Sequence, residues 1–216
     1  MSSASNRVSP SVHVLGGVIA SAGFASGDRL VVGHWWQSPV GAFTDVMWAE
    51  PDGTRVLYVP DDTVARFVTA LYRFERIEVV PFETRGGGRH LVVAFGDRYV
   101  ELRSGWGFPI PFRRPRWFTR WVEGPVARAV LGVRTYGTTP SGVHEWYQAD
   151  VWRPLRFGVA RIGDRGLGPF GRVEPAVGFG FSEPTKRSSM VNLHTYLADP
   201  SGRLDTLCRS PRESLA

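Results

Sequence analysis

Residues 77–103 read IEVVPFETRGGGRHLVVAFGDRYVELR, in which three apolar segments are separated by glycine turns. Segments rich in valine, phenylalanine and tyrosine that flank short glycine-containing turns are typical of antiparallel strands joined as hairpins. The stretch therefore predicts strands at 77–84, 90–95 and 98–103. A phosphate-binding role for the triple glycine is disfavoured, because no helix follows it to supply a positive dipole end.

Turn signals recur at a similar spacing on both sides of this stretch. They predict further strands at 29–36, 43–50, 54–59, 133–137, 143–152, 155–162, 173–181 and 191–197, which gives about ten strands in all. Strands at this spacing predict a β-rich fold (all-β or α+β), a single antiparallel β-barrel that is closed or nearly closed.

Helical patterning is confined to two places. Val64, Phe67, Val68 and Leu71 recur at helical spacing after two aspartates that are suitable N-caps, which predicts one amphipathic helix. A proline-rich segment at about 108–131 predicts a short helical insertion into the barrel.

The chain has 216 residues, 43% of them hydrophobic, which predicts one domain with a sizeable core. We expect a disordered N-terminus at 1–10, the domain at 11–198 and a flexible C-terminal tail at 199–216. The single cysteine excludes an internal disulfide or a cysteine-based zinc site. The five histidines show no metal-ligand spacing, so no metal or cofactor is predicted.

The net charge is +6, and only one of the 26 basic residues, Lys186, is a lysine. The arginines are dispersed and accompany no nucleic-acid-binding motif, so nucleic acid is not a predicted partner. Residues 12–25 are too rich in glycine for a good secretion signal, and no apolar run reaches the ~20 residues that span a bilayer. We expect a cytoplasmic protein.

Three segments resemble a known family. SPVGAFTD at residues 38–45 is similar to the strand entry of the acetoacetate-decarboxylase-like superfamily, which reads small–Gly–Pro–aromatic–x–Glu. Residues 54–74 resemble its strand followed by an acidic cap and a helix, and residues 133–143 resemble a strand pair of an uncharacterised branch. The resemblance implies a β-cone or barrel with a buried, largely apolar pocket.

The catalytic lysine of that superfamily has no counterpart here. Where the lysine is expected, after the helix, the chain reads Leu71-Tyr72-Arg73-Phe74. An arginine stays protonated and does not form a Schiff base. The resemblance therefore implies a branch that lacks Schiff-base decarboxylation, with Tyr72 and Arg73 as candidate ligand contacts.

The strand at 143–152 carries most of the remaining candidates. His144, Trp146, Gln148 and Asp150 share one face and Glu145 lies on the other, so the alternation leaves open which face points inward. His144, Asp150 and Glu145 are candidate acid–base groups, and Trp146 and Gln148 are candidate ligand contacts. Six residues separate His144 from Asp150, roughly 20 Å along a strand, so they do not form a direct pair.

Three functions remain open. The first is a pocket protein that binds a small or medium apolar ligand with a carbonyl or carboxylate, which Arg73 or Arg134 would hold, with Trp117 as a further contact. The second is an enzyme that uses acid–base chemistry in the same pocket. The third is a peripheral membrane protein that acts on an anionic surface through the arginine- and tryptophan-rich segment 113–121.

Overall fold

The computed structural model describes residues 11–109, 136–139, 141–180 and 182–209. Within these ranges the chain is mostly β, as the turn spacing predicted. The strands are β1 (Val12–Phe24), β2 (Arg29–Gln37), β3 (Phe43–Ala49), β4 (Arg55–Val59), β5 (Arg76–Val79), β6 (Phe82–Gly87), β7 (His90–Phe95), β8 (Arg98–Ser104), β9 (Phe108–Pro109), β10 (Tyr136–Thr138), β11 (His144–Ile162), β12 (Arg165–Gly166), β13 (Phe170–Gly171) and β14 (Ser189–Ala198). The described helices are α1 (Asp62–Thr69) and α2 (Arg203–Arg209).

The strand predicted at 77–84 is divided by Val80 and Pro81. The first part, β5, pairs parallel with β4, and the second part, β6, pairs antiparallel with β7. The strand order is β5-β4-β3-β2-β1-β14-β11-β8-β7-β6, so the two halves occupy opposite ends of one sheet. Because two residues join these ends, the sheet must curl until its edges approach each other. No described ladder links β5 to β6, so the curled sheet is not closed by hydrogen bonds.

β11 runs through the two strands predicted at 143–152 and 155–162. Its first half pairs with β14 and its second half with β8. Register shifts at Ala149/Val151 and Leu155/Phe157 bend the strand, as bulges do. β11 therefore connects the part of the sheet that contains β1–β5 and β14 with the part that contains β6–β8.

β3 shows how the sheet separates two apolar regions. Val46 and Trp48 face the main core, where Trp48 contacts the rings of Tyr58 and Phe95. Phe43 and its neighbours at alternate positions face α1 instead. The sheet is thus covered on one face by the folded-over strands β6–β8 and on the other by α1.

α1 forms where the apolar spacing predicted it. Asp61 is its N-cap, and its carboxylate accepts a hydrogen bond from the Val64 amide at 2.9 Å. Phe67 and Val68 are buried against the sheet. No helix among the described residues is long and apolar enough to cross a membrane.

Residues 173–180 form a loop instead of the predicted strand. The Glu183 carboxylate accepts hydrogen bonds from the Val177 and Gly178 amides at 2.8 and 2.9 Å. A side chain thus replaces the neighbouring strand as the partner of this backbone. Gly178 has a positive φ of 67°, which also interrupts an extended chain.

A helix, α2, lies within the segment for which composition predicted a flexible tail. The Asp199 carboxylate accepts hydrogen bonds from the Ser201 and Leu204 amides, each at 2.8 Å. Leu204 is fully buried in the apolar cluster that also contains α1. The buried leucine anchors α2 to the domain, and the polar composition of the segment gives no sign of this contact. Residues 1–10 and 210–216 lie outside the described residues, as does most of the predicted insertion at 108–131.

Candidate functional site

A cavity of about 40 Å³ lies between the sheet and α1. That is more than the ~15 Å³ that one water molecule needs. Most of its wall is apolar, and the polar exceptions are two carboxyl groups, one tyrosine and one threonine. The lining residues are Leu15, Ile19, Val31, Gly33, Trp35, Phe43, Asp45, Met47, Phe67, Val68, Leu71, Tyr72, Glu145, Thr195 and Leu197. We call this space the α1 cavity.

Asp45 enters the α1 cavity from the middle of β3 and is fully buried. Its Oδ1 accepts a hydrogen bond from Trp35 Nε1 at 3.0 Å, whereas Oδ2 has no hydrogen-bond partner. Burial raises the pKa of Asp45 to about 7, despite the opposing effect of the Trp35 hydrogen bond. Near neutral pH this side chain can therefore either donate or accept a proton.

The contact between Trp35 and Asp45 depends on the absence of a side chain at Gly33. Gly33 lies opposite Asp45 in the ladder between β2 and β3. A Cβ at Gly33 would lie 2.5 Å from both Asp45 Oδ1 and Trp35 Nε1. Gly17 on β1 gives similar room, since its Cβ would lie 2.7 Å from Trp35 Cε3. Two glycines thus allow the indole to lie across the sheet and reach the carboxyl group.

Glu145 enters the α1 cavity from β11 and is fully buried. Its Oε1 accepts a hydrogen bond from the Tyr72 hydroxyl at 2.6 Å, and the Tyr72 and Tyr147 hydroxyl oxygens are 3.0 Å apart. Burial raises the pKa of Glu145 to about 7 and raises the pKa values of both tyrosines well above their ordinary value. Both tyrosines therefore remain protonated, and Tyr72 acts as a donor to Glu145.

Tyr72 reaches Glu145 because it follows α1 directly. Its amide still bonds to the Val68 carbonyl at 3.0 Å, which continues the helical turn. Its ring packs against Gly180, where a Cβ would lie 2.6 Å from Tyr72 Cδ1. The helix end and the loop at 173–180 together fix the hydroxyl beside the carboxyl group.

Three buried polar atoms around the α1 cavity have no hydrogen-bond partner: Asp45 Oδ2, Glu145 Oε2 and Thr195 Oγ1. An unsatisfied buried polar group typically costs about 1–3 kcal/mol. All three belong to residues that line the same space, where a polar ligand group or water could become their partner. Neither arginine nor lysine is among the described residues of its wall, and no described group of three His, Cys, Asp or Glu could hold a metal.

Two of the sequence candidates meet at this cavity, namely Tyr72 and Glu145, and they do so through a direct hydrogen bond. His144 and Asp150 are not brought together. His144 Nδ1 lies 3.1 Å from Thr138 Oγ1, and Asp150 pairs with His194 at 3.2 Å. The face of β11 that carries Glu145 reaches the cavity. The alternation of residues along the strand had not shown which of its two faces points inward.

The other candidates lie elsewhere or outside the described residues. Trp146 is buried but stacks on Tyr196, with ring centroids 5.2 Å apart. Gln148 is half-buried on β11 opposite His194, and Arg73 is exposed; neither lines the α1 cavity. Arg134, Trp117 and the whole segment 113–121 lie outside the described residues.

Sequence reasoning missed Asp45 and Thr195 as site residues. Asp45 ends the motif at 38–45, and it interrupts an apolar row of alternate residues, Phe43 and Met47, on its strand. A carboxyl group in such a row is a signal that could have found it. Thr195 offers no comparable signal, because threonine is common in strands.

No family model matches the chain, and no curated protein matches it. Two solved acetoacetate decarboxylase structures are similar to it, as the resemblance in the sequence predicted. The first is 10% identical with a TM-score of 0.39 and covers 87% of this chain and 84% of its own. The second, from Legionella pneumophila, is 7% identical with a TM-score of 0.39 and covers 88% and 84%. The roles of Asp45 and Glu145 rest on the geometry above.

Proposed function

We propose that the protein binds a small, neutral, largely apolar molecule with a carbonyl or hydroxyl oxygen in the α1 cavity. The observation that carries this proposal is that three residues with an unpartnered buried polar atom, Asp45, Glu145 and Thr195, line one otherwise apolar space. An apolar wall with a few polar groups is the usual composition of a small-molecule site.

The carboxyl groups supply the polar contacts for such a ligand. When protonated, Asp45 and Glu145 donate hydrogen bonds to a carbonyl oxygen, and their pKa values of about 7 keep a substantial protonated fraction at neutral pH. Thr195 can donate or accept. A carboxylate-bearing ligand is disfavoured, because the two acidic groups would repel it and no described cation lines the wall.

A second candidate function is acid–base catalysis on a ligand of the same class. The observation that favours it is a pair of carboxyl groups in one cavity, each with a pKa of about 7. One ionised carboxylate would remove a proton from the carbon beside a carbonyl, while the other, protonated, would donate a proton to the carbonyl oxygen. The product is the enol, and no redox partner is needed.

Ligand-observed NMR with three matched four-carbon probes tests the binding proposal. Saturation of the protein methyl groups should transfer to butanone and butanol but not to butanoate. Leu71→Trp, which fills the α1 cavity, should abolish the transfer, and Ile77→Trp, at an exposed position on β5, should preserve it. Equal transfer to butanoate, or transfer that survives Leu71→Trp, would contradict the proposal.

Deuterium exchange separates binding from catalysis. If the enzyme candidate is right, the protein will accelerate exchange of the butanone α-protons in D₂O, and Glu145→Gln or Asp45→Asn will slow it at least tenfold, a typical contribution of one acid–base group being ~10²–10⁴-fold. Binding of butanone without accelerated exchange would restrict the protein to ligand binding.

A further inference from the structure

A second unusual surface follows β8, at residues 104–108. Trp106 is 85% exposed and Phe108 is 69% exposed, the two highest values among the large apolar side chains of the described residues. Large aromatic side chains that project together into solvent often mark an interaction site. This surface is formed by the link between β8 and β9, by β9, by the turn between β6 and β7 and by the middle of β11, and it shares no residue with the wall of the α1 cavity.

Three arginines pack along the same segment. The guanidinium carbon of Arg89 lies 4.6 Å from the centre of the Trp106 ring. Arg156 packs against Gly105, where a Cβ would lie 2.9 Å from its Nε. Arg153 packs in the same way against residue 107, also a glycine, where a Cβ would lie 2.6 Å from Arg153 Cγ. We call Arg89, Trp106, Phe108, Arg153 and Arg156 the basic aromatic platform.

The positive charge of the platform has no carboxylate partner among the described residues. Arg153 instead donates hydrogen bonds to the Asn192 side chain and the Gly88 carbonyl. Burial, with a smaller contribution from the charge of Arg89, lowers the pKa of Arg153, which indicates that the two cations repel each other. The preceding carboxylates of β8 and β11, Glu101 and Asp150, are paired with Arg103 and His194.

We propose that the basic aromatic platform docks the protein on an anionic membrane surface. Arginines there would contact anionic headgroups, while Trp106 and Phe108 would enter the interface, where aromatic side chains are favoured. This inference goes beyond the proposed ligand function and does not depend on it. It also uses residues other than the segment 113–121, on which the sequence-based membrane hypothesis rested.

The ring contacts favour a lipid surface over a single-stranded nucleic acid. Base stacking requires an accessible ring face. One face of Trp106 is covered by Arg89, and Phe108 stacks on Trp152 at an interplanar angle of 24° with ring centroids 6.4 Å apart. Each ring thus has one face already in contact with the protein, which leaves at most one face for base stacking, whereas its whole exposed part can enter a headgroup layer.

Vesicle flotation with the full chain tests the proposal. We expect the protein to float with vesicles of 70% phosphatidylcholine and 30% phosphatidylglycerol, not with pure phosphatidylcholine, and to be released by salt. Neutralising an arginine, as in Arg89→Gln or Arg153→Gln, should lower the partition coefficient about fivefold for each charge. Trp106→Ala combined with Phe108→Ala should lower it at least about tenfold.

Matched controls use other exposed positions. Arg66→Gln on α1 removes an exposed arginine, and Ile77→Ala on β5 removes an exposed apolar side chain, so both should leave flotation unchanged. Equal flotation with both kinds of vesicle, or losses no larger than those of the controls, would overturn the proposal. So would absence of flotation together with Arg89-dependent binding of a labelled single-stranded oligonucleotide.

Discussion

The α1 cavity and the basic aromatic platform both contain polar groups that lack partners, but burial separates their chemistry. In the cavity, burial raises the pKa values of Asp45 and Glu145 to about 7, so their protonation and bonding depend on what fills the space. On the platform, Arg89 and Arg156 are exposed and water satisfies their donors at little cost. A buried polar group without a partner therefore indicates a short-range binding site, whereas a solvent-exposed charge without a carboxylate partner indicates a long-range electrostatic surface.

The largest expected effect that tests this difference is the pH dependence of stability. Asp45 and Glu145 have ordinary pKa values near 4 when unfolded and about 7 when folded. The folded protein thus binds these protons more tightly, so raising the pH from about 4 to about 7 should lower the free energy of unfolding by roughly 3 kcal/mol for each group. Urea denaturation of the unliganded protein across this range measures it.

Isosteric variants test whether Asp45 and Glu145 cause this loss of stability between pH 4 and pH 7. Asp45→Asn and Glu145→Gln should each remove their share of the pH dependence. Asp150→Asn, which removes an exposed carboxylate beside the platform, should leave the pH dependence of stability unchanged. If the single variants and the natural protein lose the same amount of stability between pH 4 and pH 7, burial does not raise the pKa values of these carboxyl groups.

The next prediction compares alanine substitutions at two glycines, Gly33 beside the cavity and Gly105 on the platform, and the expected changes in the free energy of unfolding are smaller. Gly33→Ala would place a Cβ 2.5 Å from the buried Asp45 and Trp35 side chains, and such overpacking costs about 1–3 kcal/mol. Gly105→Ala meets Arg156 at 2.9 Å, but an exposed arginine can move, so we expect a change within about 0.5 kcal/mol. Urea unfolding of both variants measures this, and equal losses would contradict a rigid cavity beside an adaptable platform.

The smallest expected effect concerns single hydrogen bonds. Tyr72→Phe removes the donor to Glu145 Oε1 and should cost about 1 kcal/mol. Because this hydrogen bond lowers the pKa of Glu145, its loss should move that pKa above about 7, as ¹³C NMR of the carboxyl carbon would show. Arg89→Gln on the platform should change stability less. An unchanged Glu145 titration in Tyr72→Phe would mean that the hydroxyl does not act on the carboxyl group.

Prediction from sequence succeeded where a local pattern was sufficient. The α1 cap at Asp61 and the strands β2, β3 and β4 lie close to their predicted positions, because turn residues and apolar spacing act within a few residues. It failed at residues 77–84, since one apolar run cannot reveal that its halves pair with different strands. It also failed at residues 173–180, where the side-chain carboxylate of Glu183, five to six residues further along the chain, replaced a partner strand.

The sequence by itself determined a β-rich chain with one amphipathic helix, and it placed Tyr72 and Glu145 among the candidate site residues. Only the tertiary structure decided that Glu145 rather than His144 faces α1, and that Asp45 lies on the same cavity. Alternation along a strand shows which residues share a face, but the element that covers a face is set by packing between distant segments. Burial in that packing, not residue type, gives the two carboxyl groups their pKa values near 7.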